Sequence, residues 1–390
     1  MKVVNLCNEY CIGCGLCESE LKAIMKQDEK GFLRPQLVDN ADTIDFLNKV
    51  CPVVNNYSDN DGSPWGTSIK MLAGYSNDIK IRKMASSGGV LTSLAIFLLE
   101  SGKVDGVIQV ETSAEEPTKT VCRVSVCRED VIACCGSRYA ISSPWIRLNE
   151  MVEEGKTYAA IGKPCDIVAL KKLINENSKY RNIKYLLSFF CAGLPSDKAN
   201  DELLTQLGCK KEECVALTYR GNGWPGEATA VTADGSEYKM EYSKAWGGIL
   251  GRDVNPFCRL CMDGIGEAAD IACGDGWYIK NNQPDFSEGD GRNVIIVRSQ
   301  NGLDLMNAAV EAGMLTIEEW SKPEELEIIQ KYQYVRRTTM RAKLWGYKIC
   351  GRPTPHYDKK VLKMYSDKAF FAHKMKIVLG TIKRIVTKKI

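Results

Sequence analysis

A chain of 390 residues with 44% apolar and 26% charged side chains has the composition of a folded globular protein, with room for two or three cores. Its net charge of +3 conceals an asymmetry: residues 331–390 carry 17 Lys or Arg against only Asp358 and Asp367, a charge of +15, which leaves −12 on the rest. Both histidines, His356 and His373, fall in that basic segment, so the first 330 residues exclude a Ser-His or Cys-His nucleophile, a His-ligated zinc and a His-ligated haem.

Seventeen cysteines, an odd number grouped in C-x-x-C pairs, argue for metal ligation in a reducing compartment rather than disulfides. Met1 to Asn5 show no apolar leader, and no apolar run is long enough to cross a bilayer, so cytoplasmic residence is expected.

Near the amino end stands Cys11-Ile12-Gly13-Cys14-Gly15-Leu16-Cys17, with Cys51-Pro52 far downstream. Three thiolates two residues apart wrap one side of an iron–sulfur cube, and glycines let the backbone close around it. In two-cluster bacterial ferredoxins the fourth Cys of each run, followed by Pro, ligates the other cluster. Leu21 occupies the place of the first run's fourth Cys, so one complete set survives: Cys11, Cys14, Cys17 and Cys51. Residues 1–57 are therefore expected to form a ferredoxin-like domain with a single [4Fe–4S] cluster. Cys7, Cys11 and Cys14 also spell C-x3-C-x2-C, the spacing of radical S-adenosylmethionine enzymes. That competing reading needs a preceding barrel strand and leaves Cys17 and Cys51 idle; otherwise Cys7 is a spare thiol.

Residues 58–68, rich in Ser, Asp, Asn and Gly, read as a linker. The body divides into 69–150 and 151–325, followed by a basic, mostly helical tail over 326–390. Ile69 to Tyr75 predicts a strand, and Ala85-Ser86-Ser87-Gly88-Gly89 opens a helix over Val90 to Glu100. A Ser-Ser-Gly-Gly turn at a helix start can cradle a phosphate, or merely cap the helix. Val104 to Val110 and Tyr158 to Ile161 predict strands, Asp166 to Ile174 a helix, Ile183 to Phe190 a strand and Asp197 to Leu207 a helix capped by Ser196. This alternation predicts an α/β body with a mostly parallel sheet. Cys165 and Cys191 then lie just past the carboxyl ends of neighbouring strands, where open α/β sheets bind ligands. With Cys258 and Cys261, placed in a loop after Asn255-Pro256, they can form a second [4Fe–4S] set. Cys273 is a reserve ligand on a strand, and the remaining cysteines are structural.

Ser86-Ser87-Gly88-Gly89-Val90, Gly136-Ser137-Arg138-Tyr139, Gly162-Lys163-Pro164-Cys165, Cys191-Ala192-Gly193-Leu194-Pro195-Ser196, Tyr219 to Gly226, Cys258-x-x-Cys261 and Ala269 to Trp277 follow one another in an order that resembles the coenzyme F420 hydrogenase/dehydrogenase beta-subunit family over residues 5–325. The resemblance implies an iron–sulfur flavoprotein oxidoreductase that passes electrons between FAD, cubane clusters and a partner protein or small-molecule acceptor, such as coenzyme F420. It further implies that Ser86, Ser87, Gly88 and Gly89, with Ser137, Arg138 and Tyr139, approach the flavin. The family often has Cys-His-Gly where this chain has Cys191-Ala192-Gly193, and many members keep two N-terminal clusters where this one keeps one. Without imidazole in the body, Tyr139 and Asp275 are the candidate catalytic proton donors. The alternative is a non-catalytic electron-relay subunit of a larger complex.

In the tail, Phe371, Met375, Val378, Ile382 and Ile385 fall at helical spacing among Lys374, Lys376, Lys383, Arg384, Lys388 and Lys389. Such a helix can dock on an acidic partner, lie on the inner face of a membrane, or pack on the chain's own acidic body. No nucleic-acid recognition module is present.

Overall fold

A computed structural model describes residues 3–56, 62–320 and 322–387. The first half of the expected linker, the extreme N-terminal residues and Lys388 and Lys389 lie outside the described residues.

The amino-terminal segment comprises α1 (Val3–Tyr10), α2 (Leu16–Leu21), the antiparallel hairpin of β1 (Met25–Gln27) and β2 (Leu33–Pro35), and α3 (Ala41–Val50). Asn40 caps α3 by accepting the amide of Thr43, and Cys51 ends that helix in an extended conformation.

The body begins with β3 (Lys70–Ser76), α4 (Ile79–Met84), α5 (Val90–Glu100), β4 (Gly106–Thr112), β5 (Thr120–Ser125), α6 (Arg128–Ala133) and α7 (Leu148–Met151). Next come β6 (Tyr158–Gly162), α8 (Pro164–Glu176), β7 (Ile183–Phe189) and α9 (Asp197–Leu207), whose ends match the expected caps: Ser196 accepts from the amide of Ala199, and Gly208 turns the chain at φ 84°. A small antiparallel sheet follows, from β8 (Cys214–Thr218), β9 (Glu227–Thr232) and β10 (Glu237–Glu241), then the short helices α10 (Tyr242–Lys244) and α11 (Pro256–Leu260). The main sheet resumes with β11 (Ile271–Asp275), the hairpin of β12 (Tyr278–Lys280) and β13 (Gln283–Asp285), β14 (Asn293–Val297), α12 (Gln300–Glu311) and β15 (Leu315–Glu319).

The main sheet has eight strands in the order β15-β3-β14-β11-β7-β6-β4-β5. It is mixed rather than mostly parallel. Only β11–β7, β7–β6 and β6–β4 pair in parallel, while the other four neighbouring pairs are antiparallel. The physical reason is connection length: β4 returns to β5, and β11 to β14, through segments without a crossover helix, which forces an antiparallel return. Helices α5 and α12 bury Leu94, Ile96, Leu98, Leu305 and Met306 on one face, and α8 buries Ile167, Val168 and Leu170 on the other. The central strand β14 is buried at every position, as its Val-Ile-Ile-Val run demands.

The basic carboxyl-terminal region holds α13 (Glu325–Ile329), α14 (Lys331–Ile349), α15 (Lys359–Asp367) and α16 (Phe371–Val386). Helix α14 is not peripheral. Its Arg337 pairs with Glu267, both side chains almost completely buried, and also donates to the carbonyl of Pro64 at 2.8 Å. Helix α16 crosses α14 where Gly346 meets Val378 and Thr381, a closeness that a side chain at 346 would prevent. One face of α16 thus packs on the chain itself. Beside that face Phe371, Met375, Leu379 and Val386 stand exposed as an apolar stripe. No helix among the described residues is long and apolar enough to cross a membrane.

Candidate functional site

Cys11, Cys14, Cys17 and Cys51 line one pocket of about 360 Å³ together with Ile12, Leu16, Phe46 and Val50. Two turns make this convergence possible. Gly13 and Gly15 adopt φ of 73° and 92°, and a Cβ on Gly15 would lie 2.5 Å from the backbone of Ile146. The loop is pinned to the body. The amide of Trp145 donates to the carbonyl of Cys14 at 3.0 Å, and Asn255 and Arg34 both donate to that of Cys11. Burial pushes the thiols of Cys14 and Cys17 well up and that of Cys11 up to about 11, because taking a thiolate out of water outweighs the pull of Arg34 and Lys163 on Cys11.

Cys7 joins the same pocket, its sulfur 3.5 Å from that of Cys51. That contact holds Cys51 below its ordinary value while Cys7 itself is raised. The spare thiol of the sequence is therefore a neighbour of Cys51. Cys7 lies on α1, and Cys17 and Cys51, which the radical-enzyme spacing leaves idle, share its pocket.

Cys165, Cys191, Cys258 and Cys261 line a second pocket of about 290 Å³ with Lys163, Pro164, Phe257, Asp263 and Arg336. Cys165 stands in the first turn of α8, Cys191 just past β7, and their strands are parallel neighbours, as the alternation predicts. Cys258 is in the one-turn helix α11 rather than a loop, because Asn255 caps the segment and Pro256 presets the first helical φ. Burial raises the thiol of Cys191 to about 11 and that of Cys261 to about 12.

Among the described residues, no three His, Cys, Asp or Glu side chains converge closely enough for a single metal ion. A cubane makes a different demand, since each thiolate binds a different iron and the sulfurs stand apart. Two separate sets of four thiols fit that demand by number, softness and burial.

Between the pockets lies an ion pair that the sequence reading did not identify. Lys163 places Nζ 2.7 and 2.8 Å from the two carboxylate oxygens of Asp166, and both side chains are nearly sealed from solvent. Burial pulls the ammonium down, but the charges of Asp166 and Cys165 outweigh it and hold Lys163 above its ordinary value. Trp145 links the two pockets through its backbone bond to Cys14 and its indole bond to the carbonyl of Asp166 at 3.0 Å.

The segments expected to meet the flavin do come together. The amide of Ser137 donates to Ser86 Oγ at 2.7 Å. Ser86 and Ser87 donate to the carbonyls of Arg220 and Arg292, and the amide of Val90 is taken by Asn293, so this helix start is largely satisfied by the chain itself. Arg138 is different. Its terminal nitrogens reach only the carbonyls of Cys135 and Ser137, and its Nε, buried, has no hydrogen-bond partner in the structure. Tyr139 packs against Trp246, Tyr219 and Tyr242, with centroids 4.7, 5.6 and 6.4 Å away. Both oxygens of Asp275 accept from Arg220, at 2.8 and 2.9 Å, and one also from the indole of Trp224. Trp224 and Trp277 stack on each other at 4.2 Å, serving as core. Cys273 is buried within β11, away from both thiol pockets.

The family described as coenzyme F420 hydrogenase/dehydrogenase, beta subunit, matches this chain with its N-terminal part over residues 71–149 and its C-terminal part over residues 155–323. The coenzyme F420 hydrogenase subunit beta of Methanococcus voltae is 24% identical over 301 residues, covering 75% of this chain and 100% of that protein. The coenzyme F420-dependent sulfite reductase of Methanocaldococcus jannaschii is 26% identical over 267 residues, covering 64% of this chain and 39% of that protein. A chain in the solved structure of the F420-reducing [NiFe] hydrogenase complex from Methanosarcina barkeri shares the fold with a TM-score of 0.59 at 20% identity, covering 76% of this chain and 99% of that one. On these grounds the chain belongs to the coenzyme F420 hydrogenase/dehydrogenase beta-subunit family.

Proposed function

We propose that this chain is an iron–sulfur flavoprotein oxidoreductase in which electrons enter through a ferredoxin-like cluster on Cys11, Cys14, Cys17 and Cys51 and leave through FAD to a small-molecule acceptor. A second [4Fe–4S] cluster on Cys165, Cys191, Cys258 and Cys261 lies between them in the relay. The observation that carries the reading is the gathering of nine dispersed cysteines into two pockets, the four of each proposed set plus Cys7 in the first, around one shared wall that includes Ile12, Phe257 and Leu260. A flavin exchanges single electrons with a cube and pairs with an organic acceptor, so it joins the two kinds of chemistry.

The chain's own groups supply position and charge. Arg138, a buried cation bonded only to carbonyls, suits the anionic phosphates of FAD, with Ser86, Ser87, Gly88 and Gly89 shaping the approach. Tyr139, the proton-donor candidate, stands among Tyr219, Tyr242 and Trp246. Asp275 is committed to Arg220 and orients it. The names of the relatives bring a deazaflavin forward as the acceptor.

Anaerobic purification with iron, sulfide and flavin analysis tests this reading. The expected result is about eight irons and one FAD per chain, with Cys14→Ser and Cys258→Ser each losing about half the iron. A chain retaining neither iron nor flavin after reconstitution refutes it. The relay-subunit alternative is favoured by the exposed stripe of α16, which offers a partner protein an apolar, cation-flanked face. Turnover by the isolated chain with an artificial donor separates the two.

A further inference from the structure

Helix α14 begins beyond the residues matched by the family, yet it reaches the second thiol pocket. Arg336 lines that pocket, is only 5% exposed, and has no carboxylate in ion-pair range among the described residues. Its guanidinium donates to the carbonyl of Cys191 at 3.1 Å, to that of Ala192 at 2.8 Å and to the hydroxyl of Tyr332 at 3.2 Å. Gln333, three residues earlier on the helix, donates to the same Cys191 carbonyl at 3.0 Å. Room for both heads is made by Gly264, where a Cβ would collide with Gln333, Arg336 and the Cys191 carbonyl.

Among the other charges near the pocket, Arg259 donates to the carbonyl of Arg252 at 2.9 Å. Lys163 is neutralised by Asp166, and Asp263 turns its carboxylate to the amides of Ile265, Gly266 and Glu267. Lys343, on the same helix, bonds the carbonyl of Arg259 at 2.8 Å. A buried guanidinium bonded only to neutral oxygens is costly unless an anion stands nearby. Four thiolates around a cubane give the site a net negative charge that grows on reduction, and nearby charge is one of the levers that set a cluster's potential.

We propose that Arg336 is a positioning and tuning residue of the second pocket, supplying a positive charge at its wall that favours the reduced form of the group held by Cys165, Cys191, Cys258 and Cys261. The helical region after the matched residues is then a working part of the electron path. The inference rests on the second-cluster reading above, and the experiment separates the two.

Full-length wild type, Arg336→Gln, Arg336→Lys and Cys258→Ser are reconstituted anaerobically. Iron and sulfide per chain are measured, and the midpoint potential of the paramagnetic signal that Cys258→Ser removes is followed by redox titration. Arg336→Gln is expected to keep wild-type iron and to shift the reduction equilibrium at least tenfold toward the oxidised form, 59 mV for one electron. Arg336→Lys is expected to restore most of that shift. An unchanged potential in Arg336→Gln overturns the proposal. So does an equal fall in Gln and Lys variants, which would make Arg336 only a strap for the Cys191 loop. Should Arg336→Gln bind less iron, Arg336→Lys decides: a wild-type potential supports the role of charge and a tenfold fall overturns it. If Cys258→Ser holds as much iron as wild type, the second-cluster reading itself fails, whatever Arg336 does.

Discussion

Asp166→Asn tests how the wall between the two thiol pockets is held. The substitution keeps the volume and removes the charge, so the Lys163 ammonium, 6% exposed, loses its counter-charge and one of the two oxygen contacts at 2.7 and 2.8 Å, keeping one amide oxygen and the hydroxyl of Ser142 at 3.2 Å. Breaking a buried pair from one side costs about 3–5 kcal/mol, whereas replacing both partners by apolar groups is often neutral. At roughly 2–4 °C per kcal/mol for a domain of a couple of hundred residues, the single variant should melt about 6–20 °C lower. Lys163→Met with Asp166→Leu should recover most of that loss. Thermal melts followed by circular dichroism under argon, on chains of matched iron content, give the comparison. A loss below about 1 kcal/mol, or a double variant no more stable than the single one, would refute the account of the pair as a mutually dependent buried unit.

Gly15→Ala places a methyl group against the backbone of Ile146 at a φ of 92°, so it should detach the first thiol loop and cost about 1–2 kcal/mol for the backbone conformation alone, read as a lower melting temperature and lost iron. Cys51→Ser should remove about half the iron, while Cys7→Ser should leave the iron content unchanged; equal losses would make Cys7 a ligand. Arg138→Gln should weaken flavin retention at least tenfold in equilibrium dialysis without changing iron, and unchanged flavin affinity would remove Arg138 from the cofactor site. Leu379→Glu, at a site 63% exposed, should leave the melting temperature within about 1 °C, yet abolish capture of any redox partner that docks on α16.

How much of this could be read beforehand follows from the range of each interaction. Helix α5 was legible to its ends because a Gly-Gly turn, an apolar run and Ser101 are all local signals. The rim positions of Cys165 and Cys191 were legible because strand–helix alternation places them. The direction of half the main sheet was not, since β14 inserts antiparallel between β11 and β3, and β15 adds antiparallel to the outer edge of β3, pairings with β3 that join strands far apart in the chain. Arg336 carried no signal at all. Its helix arrives from far along the chain, and periodicity marks a buried stripe without saying which cysteine it will cover. Cys7 was read as spare because ligand spacing is counted along the sequence, while its sulfur meets Cys51 across two helices.

The two ends of the chain meet over the cysteines. Leu6 and Tyr10 pack with Met340, Tyr347 and Tyr365, and the hydroxyl of Tyr10 donates to the carbonyl of Pro353 at 2.8 Å. A nascent polypeptide that has exposed all eight thiols but still holds residues 331–365 inside the ribosome lacks the cover that later closes over them. A chain cut ahead of α14 would keep its eight thiols in place and lose the Gln333 and Arg336 contacts to Cys191 together with the packing of Met340, Tyr347 and Tyr365 on Leu6 and Tyr10.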